Sequence, residues 1–401
     1  MEPEMNIASK TAPGTKLVND ESGWLQYHSV GRFPGQHEAI RAALDGFADV
    51  WLALDDRRWM VAGQSRRRAM QLWGKLVGAS EDCTFTAENV TLAFGAFVDA
   101  LPPSVLAGRK VLIAEDCFPS LYFLMVELAK RIGFRLETVR IAPGATYVSD
   151  EDFLKAWDAD VALAMINWVT SVSSKRADLL RLLDHARRGR SLVALDITQG
   201  VGILPIDLAG LGIDFAATTS LKWLCGVPGA GFAYVRRELL DTLNPRVHGW
   251  HSQLDPTSWV LDRFSLAPDA RRFSNGTSSP LPYIGSLPGI EWVLAEGVEK
   301  LAEHNLKLCH RLIEIADRHG MTLAGPREDA LRGGSVMTAL SSAAEAEAMR
   351  LALQEMGFIC DARSERLRWS PGCVTTMEAL DALDEAVGRI RSGKTGSRPA
   401  A

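Results

Sequence analysis

Residues 196–232 read DITQGVGILPIDLAGLGIDFAATTSLKWLCGVPGAGF, and their order decides the architecture. Asp196 closes an apolar run, 191–197, with the near-continuous hydrophobicity of a strand buried on both faces. A second run follows at 214–219, and Lys222 stands just beyond it. Glycines at 226, 229 and 231 let the backbone turn tightly before a third run at 231–236. In an open parallel sheet, side chains just past the carboxyl ends of the strands meet in one crevice. The spacing therefore predicts that Asp196 and Lys222 share a site.

Upstream, strands are predicted at 110–114 (KVLIA), 138–142 (TVRIA) and 161–167 (VALAMIN), with helices at 120–132 and 175–188. Strands alternating with helices mean crossover units, so the expected class is α/β with a mainly parallel sheet covered on both faces. Downstream, a continuous helical pattern over 290–318 breaks the rhythm. It leads into a smaller α+β lobe: a strand at 335–340, a helix at 343–356, short strands around 358–362 and 367–369, and a last helix at 377–390. The expected division is an N-terminal segment 1–45, a large domain 46–295, a small domain 296–391 and a disordered tail 392–401.

With 401 residues, 47% hydrophobic and 23% charged, the chain is long enough for two lobes and ordinary for a globular protein. A net charge of -5 argues against nucleic-acid and membrane-surface partners. No apolar run approaches a membrane span, and the polar first 21 residues do not read as a secretory signal. The six cysteines are scattered, without a Cys-x-x-Cys pair or interleaved histidines, so the expectation is reduced thiols, no metal site and a cytoplasmic protein.

Taken singly, a strand-end aspartate is usually a cap, a lysine is usually solvated, and a glycine-rich turn is common. Their order is what argues for chemistry. A lysine desolvated in a crevice can form an imine with a carbonyl compound. A carboxylate opposite it can keep a pyridine nitrogen protonated, and the hydroxyls of Thr218, Thr219 and Ser220 can meet a phosphate. These needs are those of pyridoxal 5′-phosphate (PLP).

The stretch resembles the class V aminotransferase superfamily, fold-type-I PLP enzymes that include cysteine desulfurases, kynureninases and isopenicillin-N-epimerase-like proteins. The resemblance rests on Asp196-x-x-Gln199 followed by Lys222 and extends from about Tyr27 into the last helix. It implies a large PLP-binding domain with a seven-stranded sheet and a small C-terminal domain. It also implies a Schiff base on Lys222, Asp196 at the pyridine nitrogen, Gln199 at the ring 3-hydroxyl and Thr219 at the phosphate. Phe118-Pro119-Ser120 resembles the kynureninase Phe-Pro-Ser, whose Phe stacks on the ring. His248-Gly249-Trp250 resembles a loop reaching a neighbouring active site, and Arg272-Phe273-Ser274-Asn275 resembles Arg-Ile-Ser-Asn. Gly276-Thr277 resembles the Gly-Thr through which a partner subunit touches phosphate, which implies a homodimer with shared sites. Arg368-Trp369-Ser370-Pro371 resembles the strand whose Arg grips the substrate carboxylate, a role suited to a planar guanidinium.

The phosphate loop is expected at Leu92-Ala93-Phe94-Gly95, with Ala93 and Phe94 offering backbone N–H groups where the family has a Thr. Leu221 departs from the family's His or Tyr before the lysine, and the match at Trp168 is imperfect. Tyr27, His28 and Arg32 sit where the family's N-terminal segment covers the active site, so His28 is a candidate substrate contact. Cys360 ends an apolar run and leads straight to Arg368, leaving no room for a mobile cysteine loop, so persulfide chemistry is disfavoured. The favoured reading is a lyase or hydrolase at the β-carbon of an L-α-amino acid. Transamination or epimerisation is the alternative. A non-catalytic scaffold ranks last because Lys222 and Asp196 are both present.

Overall fold

The computed structural model describes residues 21–393, so the polar N-terminal residues and nearly all of the expected tail fall outside the described residues. Seven strands form the large sheet: β1 (Thr84–Ala87), β2 (Lys110–Ala114), β3 (Arg135–Val139), β4 (Val161–Asn167), β5 (Leu192–Asp196), β6 (Phe215–Thr219) and β7 (Gly231–Val235). Their spatial order is β1-β7-β6-β5-β4-β2-β3. The five strands from β6 to β3 run parallel, while β7 and β1 are paired antiparallel. The class is α/β, as the alternating pattern implies.

The central strands are legible because they are buried along most of their length. Every residue of β7, and all but one each of β4, β5 and β6, is buried. The edges are less regular. β3 spans 135–139 rather than 138–142, with alternating exposed and covered residues. Beyond it the N–H of Ile141 leaves the ladder and donates to the Glu115 carboxylate at 2.8 Å. The helix expected from 175 begins at Leu179, where the Asp178 side chain accepts from the Arg181 N–H. Lys175, ahead of that cap, is instead buried and ion-paired with Asp150.

The long helical pattern is two helices. Leu281–Glu296 ends at Gly297, whose φ of 86° interrupts the α-helical path, and Val298–Arg318 restarts immediately. Two further helices, Gln36–Leu52 and Arg57–Val77, pack against the first of these. The second sheet is antiparallel, in the order β10-β11-β9-β8, with β8 at Thr322–Leu323, β9 at Val336–Ala339, β10 at Asp361–Arg363 and β11 at Arg366–Trp369. Its core joins the helices Val298–Arg318, Ala343–Glu355 and Met377–Arg391, whereas the large sheet has its own apolar cluster. Among the described residues no helix is long and apolar enough to cross a membrane.

One segment stitches the two cores together. Leu25 belongs to the small core and Tyr27 to the large one. Trp24 bridges to Ile359 and Gln26 to Ser370, and the Gly31 N–H donates to the Leu221 carbonyl at 2.8 Å. A Cβ on Gly31 would overlap the Lys222 carbonyl oxygen and press on the Cys225 sulfur. Only glycine lets this strap lie flat against the lysine's backbone. Gly31→Ala is therefore expected to lower stability by roughly 2–3 kcal/mol in urea unfolding, the usual scale of overpacking. A variant as stable as the parent would contradict the close approach.

Candidate active site

The sheet delivers its reactive groups by register. Asn167 and Asp196 end neighbouring strands and are aligned with one another, and Asp196 is aligned with Ala217 of β6. Past β6, residues 220–230 loop back to β7, and Lys222 lies in that loop. Past β2, Phe118 caps the helix Pro119–Ile132. Four strand ends thus surround one crevice at the carboxyl edge of the sheet, where ligands of open α/β folds bind.

Asp196 is buried, with one oxygen accepting from Asn167 Nδ2 at 2.9 Å and the other from the Thr198 N–H at 3.0 Å. Burial raises its pKa, and these hydrogen bonds and the nearby Lys222 charge oppose the rise. Burial lowers the Lys222 amine from 10.5 to about 8, with the Asp196 charge opposing and the Arg368 charge reinforcing the shift. The two groups feel each other, yet among the described residues neither makes an ion pair within 4.0 Å. Opposite charges this dry would normally close on one another or be neutralised. Their charged atoms stand more than 4.0 Å apart, and a group with an electrophilic carbon at one end and a basic nitrogen at the other would suit both.

The surroundings suit the same group. The Lys222 Nζ lies 5.6 Å from the centroid of the Phe118 ring, which remains partly exposed and free to cover a second ring. Gln199 lies beneath, donating from Nε2 to the His28 carbonyl at 2.9 Å and accepting from Trp223 Nε1 at 3.1 Å. One amide hydrogen of Gln199 is left over for a ring substituent. The Thr198 hydroxyl and His28 Nε2 are buried polar atoms without a hydrogen-bond partner in the described structure. PLP would fit this donor set, with Lys222 to form an imine, Asp196 to meet the ring nitrogen and Phe118 to cover a ring face.

The phosphate end differs from expectation. Ala93 and Phe94 are core residues: Phe94 packs edge-on against Phe215, and the Ala93 N–H is committed to the Asn89 carbonyl. They cannot offer N–H groups to an anion. The helix Val90–Ala100 begins three residues earlier, with the Asn89 side chain accepting from the Leu92 N–H, so the amides at its open start are those of Val90 and Thr91. Asn89, a residue type favoured at helix caps, was the signal that marks this start. Thr219 ends β6 and is half-buried, close in the chain to Lys222.

Trp250, Asn275 and Thr277 are exposed. Asn275 lines a cavity of about 730 Å³ together with Thr91, Leu92 and Gly229. Arg272 is spent inside the chain, donating to the carbonyls of Ala267, Leu240 and Leu243. The small lobe contributes Arg368, which is not free: its Nε donates to Asp361 Oδ2 at 2.7 Å, Nη2 pairs with the same oxygen, and Nη1 donates to the Ser171 carbonyl at 3.2 Å. Asn167, Thr198 and Asp361 were not singled out from sequence, although Asn167 closes an apolar run just as Asp196 does. Cys360 is buried with its thiol pushed up to about 12, and only residues 364 and 365 join β10 to β11. That turn leaves no loop to carry a nucleophilic cysteine.

His28 shares a 2.7 Å hydrogen bond through Nδ1 with Ser370, while Nε2 lies 3.5 Å from Asp361 Oδ2, too far for a good hydrogen bond. Burial lowers its pKa from 6.5 to about 4, with Asp361 opposing and the Arg368 and Lys222 charges reinforcing. The imidazole is therefore neutral at pH 7. Since the folded value lies below the unfolded one, the unfolded chain takes up the proton first, and stability falls as pH drops from 6.5 toward 4. The gap corresponds to about 3 kcal/mol. His28→Asn, which keeps a polar group toward Ser370, is expected to remove most of that acid-side loss in urea melts between pH 7 and 4.5. An unchanged pH slope would contradict a neutral, buried imidazole.

Comparison with known proteins agrees with this geometry. A kynureninase of Deinococcus radiodurans is 31% identical over 300 residues, covering 72% of this chain and 67% of the relative. An uncharacterized aminotransferase, YcbU, of Bacillus subtilis is 24% identical over 357 residues, covering 87% of this chain and 90% of the relative. The apo cysteine desulfurase of Thermococcus onnurineus superposes with a TM-score of 0.81 at 17% identity, covering 95% of this chain and 99% of that one. The family model for Aminotransferase class-V matches residues 62–363, which include Phe118, Asp196, Gln199 and Lys222. The chain belongs to the class V aminotransferase family and is a PLP-dependent enzyme.

Proposed function

We propose that the enzyme cleaves a bond at the β-carbon of an L-α-amino acid, by elimination of a thiol-type substituent or by kynureninase-like hydrolysis. The observation that carries the PLP chemistry is the couple of a buried Asp196 and a half-buried Lys222, close enough to feel each other's charge and not ion-paired. PLP, when bound, supplies an electron sink for the pair of electrons released at the substrate's α-carbon. Lys222 is the group that takes the α-proton, since burial has already lowered its basicity toward neutrality. Asp196, held by Asn167 and Thr198, keeps the proton on the ring nitrogen. Phe118 fixes the tilt of the ring, Gln199 meets its 3-hydroxyl, and Thr219 with the Val90 and Thr91 amides receives the phosphate. Arg368 holds the substrate carboxylate, with His28 beside it.

Three considerations favour the β-carbon. A relative that is a kynureninase is 31% identical over 300 residues. The Phe118-Pro119-Ser120 motif adds to that likeness. The buried Cys360 and the two-residue turn at 364–365 speak against persulfide transfer. Transamination is the second reading, favoured by the relative from Bacillus subtilis that is named an aminotransferase. In both readings the working unit is a homodimer. The exposed Trp250, Asn275 and Thr277 and the open cavity beside the phosphate end are the features such a partner would complete.

Holoenzyme mixed with a panel of L-amino acids and cysteine S-conjugates decides between the readings. Release of pyruvate and ammonia with a thiol (elimination), or of alanine with the acyl fragment as a carboxylic acid (hydrolysis), with the cofactor spectrum restored after turnover, is the expected result. Accumulation of the aminated cofactor, reversed by a 2-oxo acid, would contradict β-carbon cleavage and establish transamination.

A further inference from the structure

Arg368 meets Asp361 by construction. The two are directly opposed in the register of the β10–β11 pair, on one face of a hairpin closed by residues 364 and 365. Cross-strand neighbours of opposite charge at such a position stay together, because separating them means breaking the register of the sheet. Both side chains are largely sheltered, with 9% of the Arg368 side chain and 22% of the Asp361 side chain exposed. All the recorded contacts of the carboxylate fall on a single oxygen. Arg368 Nε and Nη2 donate to Oδ2, Arg363 Nε donates to it at 3.4 Å, and His28 Nε2 faces it at 3.5 Å.

The guanidinium has five hydrogens in a rigid fork. Asp361 takes the side edge, formed by Nε and Nη2, and the Ser171 carbonyl takes one hydrogen of Nη1. One hydrogen remains on each terminal nitrogen. A second carboxylate can therefore join Arg368 only at its far end, and the side-on fork that a free arginine offers is closed to it. The buried His28 Nε2, which makes no hydrogen bond and approaches only Asp361 at 3.5 Å, lines the same corner.

We propose that Asp361 is the positioning residue of the substrate-carboxylate grip: it locks Arg368 by the side edge so that the carboxylate docks end-on at Nη1 and Nη2. This deepens the reading of Arg368 as the carboxylate binder and rests on it. Asp361 touches neither the reacting atoms nor the cofactor. Its effect belongs to binding of the carboxylate, not to the proton transfer at Lys222. It also offsets part of the positive charge of Arg368 and of the exposed Arg363 beside it.

The test uses holoenzyme and two probes that differ only by the carboxylate, L-alanine and ethylamine, with Kd read from the change in cofactor absorbance. Asp361→Ala is expected to weaken L-alanine binding tenfold or more and to leave ethylamine within threefold of the parent. Asp361→Asn keeps an oxygen acceptor for Nε and Nη2, and should hold L-alanine within threefold. Arg368→Ala should match Asp361→Ala for L-alanine. If Asp361→Ala binds L-alanine as tightly as the parent, or more tightly, while Arg368→Ala does not, Asp361 competes with the substrate and the proposal fails alone. Equal weakening of both probes in Asp361→Ala and Asp361→Asn would mean a structural role and also overturn it. Unchanged L-alanine binding in Arg368→Ala would remove the carboxylate reading beneath it.

Discussion

A buried carboxylate, Asp196, and a half-buried amine, Lys222, that feel each other's charge without forming an ion pair are what the rest of this structure has to support. Burial moves both toward their neutral forms, lowering Lys222 to about 8 and raising Asp196. Left alone, two such groups are expensive to bury. Asn167 and Thr198 offset part of the cost at Asp196 by directing N–H groups at its two oxygens. The remainder is offset when a group that is cationic at one end and imine-forming at the other lies between them. Cofactor binding and fold stability are therefore linked: PLP binds the native state and has no comparable site in the unfolded chain.

The sheet fixes where these charges stand, and the strap of residues 24–31 fixes what stands above them. It pairs with the small lobe through Trp24 and Gln26, and reaches the lysine loop through Gly31. On the way it places His28 between Ser370 and Asp361, while the His28 carbonyl receives Gln199. The small lobe adds Arg368 from a tight hairpin whose register already assigns its partner. The large-sheet edge with Asp196 and Lys222 and the small-lobe hairpin with Arg368 are thus joined through one short extended segment.

Much of this was legible from the sequence, for identifiable physical reasons. Strands β2, β4, β5, β6 and β7 are apolar along most of their length and buried, so their runs stand out. Asp196, Gln199 and Lys222 lie close together in the chain, and their spacing carries the motif intact. What escaped depends on distant pairing. β1 lies at the edge and owes its place to β7, far along the chain. Gly297 carries a positive φ that a helical hydrophobic pattern does not reveal. Asp361 looks like a surface residue until the hairpin register sets it against Arg368. The error at Ala93 and Phe94 came from placing the anion-binding turn one helical turn too late, when the Asn89 cap fixes where the free amides are. That Asp196 and Lys222 come near one another without pairing has no signature in sequence at all, since it is a property of the assembled sheet edge.

The central claim is that Lys222, near Asp196 without pairing to it, is the residue joined to PLP. Borohydride reduction of the yellow holoenzyme would make the link permanent, and proteolysis followed by mass spectrometry would locate it. The account predicts one phosphopyridoxyl group per chain, on the peptide containing Lys222, and none when Lys222 is replaced by Ala. A label on another lysine, such as the buried Lys175, or a protein that gains no label at all, would contradict it.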